Sequence, residues 1–367
     1  MAIRIAVLLL VGSLAACGSG NQQQALQTLY VGGYTAEKVP MNEGVYTVQF
    51  DPGTREMSQP VLYTATTSPS WLAVTEQGLY AVEESGAGAI HFFKDGKRVQ
   101  TLPSEGAAPC HIAINDDGKT LVVSNYTGGS FAVFNRDPSS GLLEENPFTI
   151  LHSSKGPNAR QVTKPHVHWA GWAPGKDPLY IVDLGLDSIT TYSKSRDEAD
   201  DFDGVGSQLL LPVGAGPRQM VFHPNGKRAY ILNELNNTLT YAELESNGDL
   251  IERQTISTLP ADFKDHSQAA HIALSANSKN VYVSNRGHNS IAHIQLADDG
   301  KIAMNQWQNT QGDWPRFFLL LEDANTLLVA NQKSNSLVAL AIAKNGSLSE
   351  TGQTLAVNAP TFIAPSL

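Results

Sequence analysis

The sequence is poor in cysteine and in positive charge. Its 367 residues include only two cysteines, Cys17 and Cys110, so a framework of disulfide-stapled loops is excluded and the core has to form by packing. Lysine and arginine number 25 against 35 aspartate and glutamate, a net charge of −10. The chain therefore lacks the basic surface that binds a nucleic-acid backbone, and we expect no nucleic-acid partner. With 41% hydrophobic residues it is nevertheless too apolar to be disordered.

The sequence also lacks an apolar run of the roughly 20 residues that a membrane-spanning helix needs. Its N-terminal apolar stretch, Ile5 to Val11, follows Arg4 and precedes small residues, which is the pattern of an export signal. The segment Leu14-Ala15-Ala16-Cys17 resembles a bacterial lipobox, which implies that Cys17 becomes the lipidated first residue of the mature chain. Several acyl chains on one terminus would anchor the protein stably.

These features predict a division of the chain into three parts. We expect a signal peptide at residues 1–16, a flexible polar tether at 17–28 and a folded domain at 29–367. The protein would be exported and held in the bacterial envelope through its lipid alone, facing the periplasm. Gly18 in place of an aspartate favours the outer membrane. A plain secretory signal with an incidental cysteine is the alternative.

Helical periodicity is almost absent from residues 29–367. Short runs of valine, isoleucine, leucine, tyrosine and phenylalanine are separated by glycine, asparagine, aspartate and proline turns, which predicts an all-β fold. Seven of these runs start at a proline or alanine, with spacings of 40 to 56 residues, the range in which four-stranded propeller blades repeat. The runs start at Pro69, Pro109, Pro165, Pro217, Ala269, Pro315 and Pro360.

The two ends of the folded domain complete each other. Residues 29–35, 44–50 and 57–65 have the pattern of three outer strands without a first strand, whereas 360–365 has the pattern of a first strand without outer ones. We therefore predict a seven-bladed β-propeller, closed by pairing the C-terminal strand with the N-terminal ones, which removes the open sheet edge. Closure within one chain favours a monomer. An open array of β-sandwich units is the alternative.

Two columns of residues should meet at one mouth of the central channel. The first column consists of the residues that follow the start of each blade's first strand. The second column consists of the residues that follow the end of each blade's second strand. Antiparallel pairing puts both columns at the same edge of the sheet. Several ionisable groups in one concavity shift each other's proton affinities, which favours a functional site there. The candidate residues are Glu84, His111, His166, His168, Arg218, Glu234, His271, Arg286 and Arg316.

Some of these residues also have structural explanations. A single histidine or arginine at a strand end is often a solvated rim residue. Glu234 with Arg218 or Arg286 could be an ion pair that holds two blades in register. Cys110 is explained better as a small packed residue than as a catalytic thiol.

A metal site is a further interpretation of the histidines. His166 and His168 are two residues apart, so on a regular strand they face the same side and could bind a metal together with His111 or Glu234. Because the nearby arginines would repel a cation, we expect neither a metal nor another cofactor.

Five segments carry a resemblance to a known family. They are PCHIAI (109–114), PHVH (165–168), VDLGLD (182–187), GAGPRQMVFHPNGKRAYILNEL (214–235) and VYVSNRGHNSIA (281–292). These segments resemble the lactonase family of seven-bladed propellers, typified by bacterial 6-phosphogluconolactonase and related to fungal carboxy-muconate lactonizing enzymes. The resemblance covers nearly all of the mature chain and implies a lactone-hydrolysing enzyme.

The resemblance also implies where the site lies. It carries over to His166 or His168, Arg218, Glu234 and Arg286. One of the histidines would be base and acid, Glu234 would orient it or act as the base, and the arginines would bind an anionic substrate group and offset charge at the carbonyl.

The remaining candidate residues do not determine which lactone is the substrate. His111, His271, Arg316 and Glu84 are expected to bind the small lactone substrate, which the arginines predict to be anionic. The family often has an acidic residue where this chain has His271, so the substrate need not be the same. Because no GxSxG turn is present, a covalent mechanism is not expected. A non-catalytic binding propeller and a lactonizing enzyme are the alternative functions.

Overall fold

The chain forms the ring of β-sheets that its repeats predict. The computed structural model describes residues 25–35, 42–154, 156, 161, 164–194, 202 and 204–367. The predicted signal peptide and Cys17 lie outside these residues. Within the described ranges, no helix has both the length and the apolar character needed to cross a membrane.

In the described residues, 28 strands make seven four-stranded antiparallel sheets, each of which is one blade. The strands of the first six blades follow one another outward from the channel axis. Blade 1 contains β4 (Leu72–Thr75), β5 (Gly78–Glu83), β6 (Ala89–Lys94) and β7 (Lys97–Pro103). Blade 2 contains β8 (Pro109–Ile114), β9 (Thr120–Asn125), β10 (Ser130–Asn135) and β11 (Phe148–Leu151). Blade 3 contains β12 (Val167–Trp172), β13 (Leu179–Asp183), β14 (Ser188–Ser193) and β15 (Gly204–Leu210).

The second half of the chain repeats the arrangement. Blade 4 contains β16 (Pro217–Phe222), β17 (Arg228–Asn233), β18 (Thr238–Leu244) and β19 (Leu250–Ser257). Blade 5 contains β20 (Gln268–Leu274), β21 (Asn280–Arg286), β22 (Ser290–Leu296) and β23 (Ile302–Asn309). Blade 6 contains β24 (Pro315–Leu321), β25 (Thr326–Asn331), β26 (Ser336–Ile342) and β27 (Leu348–Ala356), with one short 3₁₀ helix at Glu322–Ala324.

Blade 7 closes the ring from both ends of the chain. Its first strand is the C-terminal β28 (Pro360–Pro365), which pairs with β1 (Gln27–Gly33), followed by β2 (Gly44–Phe50) and β3 (Val61–Ala65). Each blade's first strand contacts the first strands of the two neighbouring blades, and β28 contacts β4. The predicted seven-bladed propeller and its mode of closure are therefore confirmed.

Burial explains why such sheets have to stack. The second strands are buried on both faces, as in β9 and β25, whereas outer strands such as β15 alternate between exposed and half-buried residues. A sheet with two apolar faces cannot cover them alone, so each blade packs against its neighbours. The apolar core accordingly lies between the blades.

A recurring tyrosine connects neighbouring blades at the end of the molecule opposite the mouth, where the second strands begin. Tyr180 and Tyr282, each the second or third residue of a second strand, are almost completely buried. Their hydroxyls donate to the carbonyl oxygens of Gly248 (2.9 Å) and Gly346 (2.7 Å), which lie in the outer turn of the next blade. Both glycines have a positive φ, so the sequence supplies glycine where the turn requires it.

Several strand boundaries differ from the sequence expectation; in blade 1, for example, β4 begins at Leu72, three residues after Pro69. β1 begins at Gln27, inside the expected tether, because Gln27 and Thr28 pair with Phe50 and Gln49 on β2. In blade 3 the residue paired with the end of the second strand is Val167, and not Pro165. The first strand of this blade therefore starts two residues later than its sequence suggests, and His166 precedes the strand.

Candidate functional site

The side chains of the mouth come from a bulge that recurs in the first strands. In blades 2, 3, 4 and 6, pairing with the second strand skips one residue close to the strand start. A bulge redirects the skipped side chain away from the regular alternation. The skipped residues are Cys110, His168, Arg218 and Arg316. Sequence reasoning placed all four in the first column.

Glu234 is the centre of the site. It directly follows β17 and is 0% exposed. Its Oε2 accepts a hydrogen bond from Arg218 Nη1 at 2.6 Å and forms an ion pair with Arg286 Nη2 at 3.0 Å. Two guanidiniums therefore meet one carboxylate in a buried position, which leaves the cluster with a net positive charge.

The first strand of blade 5 holds both arginines in place. Arg218 Nε donates to the carbonyl oxygen of Ala270 at 2.6 Å. Arg286 donates from Nε to the carbonyl of Gln268 and from Nη2 to that of Ala269, both at 3.2 Å. The β20–β21 pairing is irregular between Ala269 and Ile272, so the ladder is interrupted beside these acceptors. Guanidiniums from two blades are thus fixed by the backbone of one strand.

His168 joins the cluster through Arg218. Arg218 Nη1 donates to His168 Nε2, so the ring proton lies on Nδ1, which is 3.7 Å from the sulfur of Cys110. Burial and the charge of Arg218 hold the pKa of His168 well below its usual value. His168 is therefore neutral, and its Nε2 lone pair is engaged.

His166 lies beside this cluster on the loop before β12. Its Nδ1 donates to the carbonyl oxygen of Tyr126 at 3.0 Å. The Tyr126 ring stacks on His166 with centroids 4.4 Å apart and meets His168 edge-on at 5.3 Å. The backbone nitrogen of His166 donates to buried Asp183 Oδ1 at 2.9 Å, so the second strand of blade 3 fixes this loop.

A second carboxylate lies on the other side of the mouth. Tyr34, which follows β1, donates its hydroxyl to Glu84, with both carboxylate oxygens at 2.9 Å. Arg316 Nη2 donates to the same hydroxyl at 2.5 Å, and its guanidinium stacks 4.9 Å from the centre of the Tyr34 ring. Although burial opposes the charge of Arg316, Tyr34, Glu84 and Glu234 raise its pKa, so the two carboxylate clusters share one electrostatic environment.

His111 and His271 occupy a different layer. His111 lies one residue beyond the skipped Cys110, and His271 lies in the stretch of β20 where pairing with β21 is interrupted; side chains from all seven blades meet in this layer. Trp71 crosses the channel to reach Phe317, with centroids 5.9 Å apart, and His271 stacks on Phe317 at 4.0 Å. We call this layer the channel floor; its residues are Trp71, His111, Trp169, Gln219, His271, Phe317 and Phe362.

Burial in the channel floor keeps both histidines neutral. It lowers the pKa of His111 and of His271 to about 3. His271 Nδ1 donates to Gln219 Oε1 at 2.8 Å, whereas His111 Nδ1 has no hydrogen-bond partner among the described residues. The sequence predicted that both bind substrate; the structure places them beneath the arginines as part of an aromatic floor.

The metal interpretation of the histidines has no geometric basis in the described part of the chain. No three histidine, cysteine, aspartate or glutamate side chains converge there. The bulge at His168 breaks the regular alternation, and the Nε2 of His168 already accepts a hydrogen bond from Arg218.

Cys110 is buried, and burial raises the pKa of its thiol, as expected for a packed cysteine.

Sequence reasoning missed some residues that the site contains. Tyr34 and Tyr126 stand in the same column as Glu84 and Glu234, directly after a second strand, but only histidines, arginines and glutamates of the two columns were chosen as candidates. Trp314 precedes β24, and its ring centre lies 5.4 Å from the guanidinium carbon of Arg286. No periodic signal points to this residue.

Comparisons with known proteins agree with this architecture. The family model described as "Lactonase, 7-bladed beta-propeller" matches residues 28–365. The 6-phosphogluconolactonase of Bacillus subtilis (strain 168) is 33% identical over 324 residues, covering 84% of this chain and 89% of that protein. The structure of a Pseudomonas aeruginosa periplasmic gluconolactonase has a TM-score of 0.85 at 25% identity and covers 94% of this chain and 99% of its own. A structure from Lactobacillus plantarum also has a TM-score of 0.85, at 27% identity, covering 93% and 99%.

Proposed function

Because the chain belongs to the lactonase family of seven-bladed β-propellers, we propose that it hydrolyses a sugar-acid or related lactone at the mouth that contains Glu234. The observation that carries this proposal is the meeting of Arg218, Arg286 and Glu234 with His168, from three blades, in one buried cluster. Hydrolysis of a lactone needs positive charge at the carbonyl oxygen and a base for water, and this mouth offers both.

The geometry favours His166 as the base over His168. His168 Nε2 accepts a hydrogen bond from Arg218, which engages its lone pair, whereas His166 lies on the loop beside the cluster with its ring stacked on Tyr126. In the proposed reaction, His166 takes a proton from water while the water oxygen attacks the lactone carbonyl. The carbonyl oxygen becomes an oxyanion. When the ring C–O bond breaks, the imidazolium returns the proton to the departing oxygen, and the product is a hydroxy acid.

The arginine pair supplies the electrostatic part of this mechanism. Arg218 and Arg286 share one carboxylate, so their excess positive charge can stabilise the developing oxyanion. The donors are already fixed by carbonyl oxygens of β20, which limits the reorganisation needed during the reaction. Glu234, fully buried between the arginines, acts in this scheme as their positioning residue.

The relatives and the site together support this substrate class. The B. subtilis relative is named a 6-phosphogluconolactonase and the P. aeruginosa neighbour a gluconolactonase, both of which act on sugar-acid lactones. The polar second cluster of Tyr34, Glu84 and Arg316 is suited to hydroxyl groups of such a substrate. We propose that the protein acts as a monomer on this small molecule.

We also propose that the protein is exported and lipid-anchored through Cys17, with the outer membrane as its location. The lipobox-like sequence before Cys17 and the description of the P. aeruginosa neighbour as periplasmic support export. Mass spectrometry of the mature N-terminus tests this. A diacylglyceryl-modified Cys17 is expected, and an unmodified N-terminus at any position would contradict the anchor.

The activity is tested with a panel of lactones. Purified protein is expected to open δ-gluconolactone or its 6-phosphate, and Arg286→Ala is expected to lower kcat/KM by about 100-fold, as loss of a preorganised charge does. Arg253→Ala is the matched control, because Arg253 is 45% exposed in an outer strand. If the protein accelerates the hydrolysis of no lactone, it is a non-catalytic binding propeller. If it instead closes the ring of an unsaturated acid, it is a lactonizing enzyme.

A further inference from the structure

Two cations contact one tryptophan at the rim of the mouth. Trp314 lies in the linker before β24. Lys333 Nζ is 3.2 Å from the centre of its indole ring, and the guanidinium carbon of Arg286 is 5.4 Å from the same point. Since both cations touch one ring, they lie within about 9 Å of each other. Lys333 therefore extends the positive charge of the arginine pair outward to the rim.

The position of Trp314 is fixed by the loop that carries Arg286. Trp314 has φ +67°, a left-handed conformation that is rare for a bulky side chain. Its backbone nitrogen donates to Asn289 Oδ1 at 3.0 Å, and the same oxygen accepts the nitrogen of Gly287 at 3.1 Å. Asn289 Nδ2 donates to Asp313 Oδ1 at 3.0 Å. Strain held in this way is concentrated at ligand-binding sites, and here it places the indole beside Arg286.

Unlike the arginines of the mouth, Lys333 has no carboxylate counterion among the described residues. Arg218 and Arg286 share Glu234, and Arg316 lies 3.9 Å from Glu84. Lys333 is exposed and has no carboxylate within 4 Å in the part of the chain that the structure describes. Its charge is thus held on an aromatic ring without neutralisation by the protein, which leaves it available to an anion from solution.

We propose that Lys333, held over Trp314, is a second anion subsite of the mouth. It would bind an anionic group, phosphate or carboxylate, at the end of the ligand remote from the carbon that water attacks. The inference rests on the proposed function, because the first anion position is the arginine pair. The ligand class is therefore a sugar-acid lactone that carries an additional negative charge, and Lys333 determines specificity for that charge.

Ligand binding tests the subsite without requiring turnover. Titration calorimetry on the full-length protein compares gluconate with 6-phosphogluconate and with the dicarboxylate glucarate. The unmodified protein should prefer the more highly charged ligands, and Lys333→Met should reduce that preference by about fivefold, the loss expected for one partly exposed charge contact. Because the subsite is exposed, added salt should weaken the preference as well.

The matched control is Lys344→Met in the same blade. Lys344 is exposed in the turn between β26 and β27, at the opposite end of the blade from the mouth. This variant should keep the preference of the unmodified protein. A preference for phosphogluconate alone would identify phosphate as the bound group, and equal preference for glucarate would identify any anion; both results support the subsite.

Other outcomes overturn the proposal. It is wrong if the unmodified protein shows no preference for the extra charge, or if Lys333→Met and Lys344→Met behave alike. Inorganic phosphate is the probe that is independent of lactone chemistry: its ³¹P line should broaden with the unmodified protein and less with Lys333→Met. Absence of lactone hydrolysis with retained phosphate binding would refute the proposed function alone, whereas hydrolysis without any charge preference would refute the subsite alone.

Discussion

Glu234→Gln is the most informative perturbation of the site. The substitution keeps the shape of the side chain but removes the negative charge that lies 2.6 Å from Arg218 Nη1 and 3.0 Å from Arg286 Nη2. Both guanidiniums are at most 6% exposed, so they cannot exchange the lost partner for bulk water. Breaking one buried ion pair by removing a partner costs about 3–5 kcal/mol, and since glutamine still accepts a hydrogen bond we expect about 3 kcal/mol.

Denaturant unfolding and lactone kinetics should respond together. The free energy of unfolding should fall by about 3 kcal/mol, and kcat should fall by about 100-fold because the arginines lose their fixed positions. Glu243→Gln is the control, since Glu243 forms an ion pair with Arg253 that is 42% and 45% exposed and is expected to contribute at most about 1 kcal/mol. Equal stability losses in the two variants would refute the account of a buried cluster. An unchanged kcat in Glu234→Gln would remove the cluster from the mechanism.

Two further predictions concern the fold. His111 has a folded pKa of about 3, below its unfolded value of about 6.5, so the unfolded chain binds an extra proton and stability falls as the pH drops through this window. His111→Phe should therefore reduce the slope of unfolding free energy against pH, between pH 6 and 4, by up to about 1.4 kcal/mol per pH unit; an unchanged slope would contradict the assigned burial effect. Tyr282→Phe should lower the free energy of unfolding by about 1 kcal/mol, because it removes the buried hydrogen bond to the carbonyl of Gly346. Chemical denaturation measures this, and no change would show that the bond does not tie the blades.

The sequence predicts the ring because the repeat reflects the burial and turn requirements of each blade. Each blade needs a turn, a run buried on both faces and another turn, and this requirement recurs along the whole chain. The column after the second strands is reliable for the same reason: antiparallel pairing leaves no freedom about which end of the sheet it occupies. Glu84, Glu234 and Arg286 were identified in this way, and the structure brings them to one mouth.

The column after the first strands is less reliable because these strands are irregular. In blade 3 the PHVH segment offers two histidines, and sequence alone cannot decide which one is paired with the second strand. The ladder decides it: Val167 pairs with Asp183, His168 is skipped, and His166 remains on the preceding loop. Regular alternation would have placed the two histidines on one face, which is why a metal site was considered. The roles of Trp314 and Lys333 depend on a loop conformation that has no period at all.

The irregularity of the first strands and the geometry of the site have one physical origin. β20 is the innermost strand of its blade, so a regular ladder with β21 would use alternate carbonyl oxygens of β20 and turn the others away from the sheet. Arg218 donates to the carbonyl of Ala270, inside the stretch where pairing is interrupted, and Arg286 donates to that of Ala269 at its border, while both contact Glu234. The same local disruption therefore provides rigid acceptors and brings together donors from two blades. It follows that a substitution which made the start of β20 a regular strand would disable the arginine pair without touching either arginine.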